Sequence, residues 1–244
     1  MKLYAHRGYS ARYPENTMLS FIKAYEAGAD GIECDVQLTL DGQVVICHDE
    51  RLDRTANARG WLRDYSYADL RGLRFDRLQP QNFNLDLVRI PHLSELLAWA
   101  APLDLTLNIE LKTGIFLYPG LVEAVIDLVE DYQMQDRVII SSFNHRSILK
   151  VKALAPHLDC AFLQEDYLEN PGAYCADRGV GYYHPDYKLL DPATVNNLHD
   201  HGIKINAWTV DDRKVYKKFK DWDLAGVITN DSHYLESAPV LATY

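Results

Sequence analysis

A chain of 244 residues with 48% apolar and 25% charged residues has the length and apolar content for one large core. Its formal net charge of −10 argues against nucleic acid or an anionic membrane surface as a general partner. No apolar run reaches transmembrane or secretion-signal length, and Cys34, Cys47, Cys160 and Cys175 lack CxxC spacing, so a soluble protein of a reducing, cytoplasmic setting is expected.

Strand-like and helix-like runs then alternate. Residues 3–6 read as a strand, and 16–27 as a helix through Met18, Leu19, Ile22 and Tyr25, with Pro14 before it and Gly28 as its stop. Residues 31–38 form a second strand and 44–47 a short extended piece after the Asp41-Gly42 turn. Residues 50–90, rich in Arg, Asp, Tyr and Asn, break the rhythm and read as an insertion, where barrels often carry function. Helices follow at 94–101, 120–132, 146–154, 171–178, 192–201 and 212–220, with strands at 103–111, 138–142, 158–163, 181–183, 203–208 and 224–229, and a last helical turn at 234–238. Eight strand–helix units, the second including 44–47 and the insertion, favour an α/β fold of the (β/α)8 TIM-barrel type over residues 1–244 as one domain. No GxGxxG follows a strand, so a dinucleotide fold has no local support.

In such a barrel the active site lies at the C-terminal ends of the strands. His6, Arg7, Glu33, Asp35, Glu110, Lys112, Asn206, Trp208 and Asn230 all fall there. Glu33 and Asp35 are i and i+2 on one strand and so point the same way. Two buried like charges repel unless a cation sits between them, and an all-oxygen set favours Mg, Ca or Mn over Zn. Glu110 and Lys112 repeat the spacing, with an ion pair at a strand end as the plainer reading. Arg7 offers a forked donor set for phosphate and Lys112 a point charge. His6 and His48 titrate in the range that general acid–base work needs. The other seven histidines are read as surface or loop residues. Asn16 is divided between capping the first helix and ordering the site, and Asp49 between orienting His48 and capping a turn. The run Ile115-Phe116-Leu117-Tyr118 is read as loop packing, with an acyl-chain contact as the alternative.

The blocks Ala5-His6-Arg7-Gly8, Pro14-Glu15-Asn16-Thr17, Glu33-Cys34-Asp35 and His48-Asp49, in this order, resemble the glycerophosphodiester phosphodiesterase family, and the resemblance runs on through Trp208-Thr209-Val210 to Thr229-Asn230. Two departures, a glycine-poor segment at 55–60 and His92 after Pro91 where Thr is common, touch loop contacts and substrate preference rather than the reaction. The resemblance implies one divalent cation, Mg or Ca with Mn possible, held by Glu33, Asp35 and Glu110. It also implies that His6 and His48 are the acid–base pair, and that Trp208 walls off the glycerol. The glycerol 2-hydroxyl would attack the phosphate, with a cyclic phosphate then opened by water; direct attack by water is the alternative route. The expected substrate is a small glycerophosphodiester, cleaved to an alcohol and sn-glycerol 3-phosphate, with no nucleic-acid partner, no stable membrane insertion, and a monomeric or homodimeric state. A lysophospholipase D acting on acylated substrates and a non-catalytic phosphodiester-binding barrel are the alternatives.

Overall fold

The computed structural model describes residues 1–231. Strands β1 (Lys2–His6), β2 (Gly31–Leu38), β3 (Val44–Ile46), β4 (Thr106–Leu111), β5 (Val138–Ser142), β6 (Asp159–Gln164), β7 (Tyr182–Pro185), β8 (Lys204–Ala207) and β9 (Gly226–Thr229) make one sheet. The helices are α1 (Met18–Glu26), α2 (Tyr67–Arg71), α3 (Leu93–Ala100), α4 (Leu121–Asp131), α5 (His145–Leu154), α6 (Pro171–Ala176), α7 (Pro192–Asp200) and α8 (Arg213–Asp221). β1 pairs in parallel with both β2 and β9, which closes eight parallel strands into the expected TIM barrel. β3 alone runs antiparallel, on the outer flank of β2. The expected turn at 234–238 lies outside the described residues.

Alternation along each strand sorts the side chains. Outward residues such as Leu3, Ile32, Cys34, Ile109 and Phe162 join the helices in one cluster. α4 shows the helical half of that contact, burying Val122, Val125, Ile126 and Val129 at 3.6-residue spacing. Inward residues stack in rings of four drawn from alternate strands. Read from the strand register, Tyr4, Asn108, Ala161 and Asn206 form one ring, Glu33, Ser141, His184 and Ile228 the next, and His6, Glu110, Leu163 and Trp208 the ring above. Most barrels fill these layers with branched apolar residues. Here the upper rings are polar and form the floor of a site.

The segment between β3 and α3 has its own small core, in which Leu52, Ala56, Leu62, Leu70, Phe75 and Ile90 pack on Val45 and Cys47. It adds α2 and two short 3-10 turns to the stretch read as an insertion. All four cysteines are buried and unbridged.

Candidate active site

A cavity of about 320 Å³ opens at the C-terminal ends of the strands. Among the residues expected from sequence, His6, Arg7, Glu33, His48, Glu110, Lys112 and Trp208 line it. Asp35, 1% exposed, lies just behind them. The strand–loop junction after β1 sets this up. Gly8 has φ 80°, and a Cβ there would lie 2.4 Å from Ser20 Oγ, so only glycine lets α1 pack so closely. Arg7 and Asn16 also adopt left-handed backbone, at φ 58° and 55°, a conformation costing about 1–3 kcal/mol that concentrates at functional sites. Thr17, not Asn16, caps α1. Asn16 is thereby free to donate from Nδ2 to Asp35 Oδ2 at 2.8 Å, so it orders the site.

Carboxylate oxygens of Glu33, Asp35 and Glu110 lie within 4.8 Å of one another, all buried. Burial, then Asp35 and Glu110, raise the Glu33 carboxyl well above its ordinary value. Burial lifts Glu110 to about 7 against the pull of Lys112 and with the push of Asp35. Burial also works to raise Asp35, but His48, Arg7 and Lys112 together hold it well below the usual range. Lys112 Nζ sits 3.0 Å from Glu110 Oε1 and 3.8 Å from Asp35 Oδ1, and Arg7 Nε 3.5 Å from Asp35 Oδ2. Three carboxyls converge, and burial together with their mutual repulsion disfavours the ionised forms of Glu33 and Glu110. This hard, all-oxygen donor set is able to hold a divalent ion.

The two histidines are oriented by different partners. Asp211 accepts from the backbone N–H and the Nδ2 of Asn230, at 2.8 and 2.6 Å. The Asn230 amide is therefore fixed with Oδ1 toward His6, which it meets at Nδ1 at 2.8 Å, while Ser10 Oγ donates to the same oxygen at 3.0 Å. Only an Nδ1–H satisfies that contact, so Nε2 keeps its lone pair on the cavity side, 3.9 Å from Glu33 Oε2. Burial and the Arg7 charge depress the His6 pKa to about 4. His48 Nδ1 instead meets the Asp49 carboxylate at 2.6 Å. Arg54 grips Asp49 at 2.7 Å and Glu15 at 2.7 Å, and Glu15 accepts from Arg7 at 2.9 Å. One chain of charges thus ties Arg7 to His48 across the β1 and insertion loops. Gln37 Nε2 holds the main chain around His48 by donating to the carbonyls of Cys47, His48 and Asp49.

Trp208 Nε1 donates to the His184 carbonyl at 2.7 Å, and its ring meets Phe143 edge-on at 5.5 Å between centroids. With that donor engaged, Trp208 offers the cavity its ring alone. Phe143, Leu163, Glu165 and Thr209 complete this side and were not singled out from sequence.

Three sequence expectations are corrected. His184 is not a surface residue; it is fully buried in the barrel floor, where Asn206 Nδ2 donates to its Nε2 at 3.0 Å and burial depresses its pKa to about 3. The short strand places Tyr182 and His184 inward, an alternation that the Gly181 start obscured. His145 is half-buried against Phe162, 4.2 Å between centroids, and bonds Tyr174 Oη. The run 115–118 splits by alternation: Phe116 and Tyr118 pack, with Tyr118 Oη on Gln37, while Ile115 and Leu117 stay 66% and 75% exposed. His92 has a structural reason for its unusual place, since it caps α3 and its Nδ1 accepts from the Ser94 N–H at 3.1 Å.

Comparison with known proteins gives the chain's relatives. A model of the glycerophosphoryl diester phosphodiesterase family matches residues 6–233. The glycerophosphodiester phosphodiesterase of Caldanaerobacter subterraneus is 39% identical over 231 residues, covering 95% of this chain and 94% of that one. That of Bacillus altitudinis is 38% identical over 232 residues, covering 94% of each. Among solved structures, an Oleispira antarctica phosphodiesterase in complex with the product sn-glycerol-3-phosphate superposes with a TM-score of 0.87 at 25% identity, over 96% of this chain and 95% of that one. A Thermotoga maritima glycerophosphodiester phosphodiesterase gives 0.75 at 28% identity, over 96% of each. With its family signature, its barrel and its cluster of acids and histidines in one cavity, the chain belongs to the glycerophosphoryl diester phosphodiesterase family.

Proposed function

We propose that this enzyme hydrolyses glycerophosphodiesters, the deacylated phospholipids, to a free alcohol and sn-glycerol 3-phosphate with the help of one divalent cation. The observation that carries the reading is the meeting, in one cavity of a family member, of three buried carboxyls, two oriented histidines and two cations. Relatives sharing more than a third of this sequence bear the name of that activity.

Glu33, Asp35 and Glu110 are the ligands, and their oxygen donors suit Mg or Ca first, with Mn third. Bound there, the ion supplies Lewis-acid polarisation of the phosphate. Arg7 and Lys112 balance the charge of the incoming diester. His6 is the base: its Nε2 lone pair, kept free by the Nδ1 bond to Asn230, takes the proton of the nucleophile. In the route the family resemblance implies, that nucleophile is the glycerol 2-hydroxyl, which bonds to phosphorus as the alcohol leaves. His48 is the acid: its Nδ1 is engaged by the Asp49 carboxylate, which orients the ring and leaves Nε2 to carry the proton given to the leaving oxygen. The roles then reverse as water opens the cyclic phosphate. Trp208 walls the glycerol with its ring face.

Ile115 and Leu117, the exposed apolar pair, are not among the cavity's lining residues, which favours deacylated over acylated substrates. We take residues 1–244 as a single barrel with its insertion, and the four unbridged cysteines favour a cytoplasmic setting. The test is direct. Purified enzyme incubated with glycerophosphocholine should release sn-glycerol 3-phosphate, and His6→Ala and His48→Ala should each abolish the release. Wild-type protein that releases none from any glycerophosphodiester would overturn the reading.

A further inference from the structure

We propose that Phe143, Leu163 and Glu165, beside Trp208, form the seat of the leaving alcohol and select alcohols that carry a positive charge, of the ammonium-ethanol type. This rests on the hydrolase reading above and names which glycerophosphodiesters the site prefers.

Lys112 follows β4, Phe143 follows β5 and Glu165 follows β6, three consecutive strands of the wall, and all three line the cavity. Neighbouring strands lie about 4.8 Å apart, so the backbone positions of Lys112 and Glu165 stand on the order of 10 Å apart, with that of Phe143 between them along the wall. A phosphodiester of an ammonium alcohol has the same order of charges: a phosphate at the cationic pole, a two-carbon spacer, then a cation. Lys112 lies near the metal-site carboxyls, which fixes the phosphate end.

Glu33 and Glu110, the other carboxylates lining the cavity, are engaged: Glu33 accepts from the Arg7 N–H at 3.0 Å and Glu110 pairs with Lys112 at 3.0 Å. Glu165 makes no hydrogen bond or ion pair with a described residue, and its backbone neighbour Gln164 turns its amide away to the Asp166 carbonyl. Next to it the wall is rings and an aliphatic chain. Phe143 is 39% exposed, and the indole donor of Trp208 is spent on the His184 carbonyl. A polyhydroxylated neutral alcohol would find few polar side chains on this wall, the Thr209 hydroxyl and the Glu165 carboxylate. An ammonium group finds the Phe143 ring and one carboxylate, the combination that recognises such cations.

The experiment compares kcat/KM for glycerophosphocholine, whose leaving alcohol is cationic, and glycerophosphoglycerol, whose leaving alcohol is neutral. Wild-type enzyme should favour the first. Glu165→Gln should lower that preference about tenfold, and Glu165→Lys should lower it further, by adding repulsion. Because Glu165 is exposed, both variants should fold, and Phe143→Leu gives an independent arm that should also lower the ratio. An unchanged ratio in Glu165→Gln and Glu165→Lys, including an equal loss on both substrates, overturns the assignment and leaves the hydrolase reading intact. Wild-type enzyme that cleaves neither substrate overturns both together.

Discussion

Removing a ligand carboxylate should stabilise the ion-free fold. Glu110 is buried, and its carboxyl is raised from 4.5 to about 7, so at pH 8 its ionised form costs the ion-free protein roughly 3 kcal/mol relative to the unfolded chain. The sign follows from the raised value: below about 4.5 both states hold the proton and nothing is lost, and stability then falls as pH rises toward 7. Gln mimics the protonated acid. Glu110→Gln, stripped with EDTA, should therefore be more stable than stripped wild type by roughly 3 kcal/mol at pH 8 and by about 1 kcal/mol at pH 5.5. For a chain of this size that is about 6–12 °C in Tm at the higher pH. His6 and His184, with pKa values lowered to about 4 and about 3, act the other way, losing stability as pH falls below their ordinary 6.5. They are common to both proteins and cancel in the difference. Thermal melts of both proteins, with and without divalent ion, give the answer. Added ion should raise the wild-type Tm and leave Glu110→Gln nearly unmoved, reversing the order of stability. A stripped Glu110→Gln that melts below stripped wild type at pH 8, or a gain equal at both pH values, would refute the reasoning.

Glu33→Ala should lose metal dependence and turnover together while melting cooperatively; a variant keeping most of its turnover contradicts the ligand assignment. His48→Ala should cut kcat far more than it raises KM with glycerophosphocholine, and much less with a p-nitrophenyl leaving group, which needs no proton. Equal losses on the two substrates would remove His48 from the acid role. Asp211→Asn lets the Asn230 amide turn and unsettles the His6 tautomer, so it should remove part of the ~10²- to 10⁴-fold that a general base supplies, in kcat rather than KM. Wild-type kcat in Asp211→Asn would show that Asp211 does not position His6.

Much of this was legible in the chain because local pattern and chemistry agree in it. The i, i+2 spacing of Glu33 with Asp35 and of Glu110 with Lys112 is set by strand geometry, and the register brings the two pairs side by side, Asp35 opposite Glu110. The groups that sequence did not reveal are those recruited from afar. Asp211 reaches His6 through Asn230, and Arg54 reaches Arg7 through Glu15, bonds that only barrel closure and the folded insertion create. No motif marks Glu165, which comes to the cavity only through its place just after β6. His184 was misread because a four-residue strand gives too few alternations to reveal an inward face.

The most direct test of a metal-dependent diesterase is the release of sn-glycerol 3-phosphate from glycerophosphoethanolamine before chelation, after EDTA, and after Mg, Ca or Mn is restored. The account predicts release that disappears on chelation and returns with a divalent ion in wild type but not in Glu33→Ala. Release that survives complete stripping of the ion would contradict it.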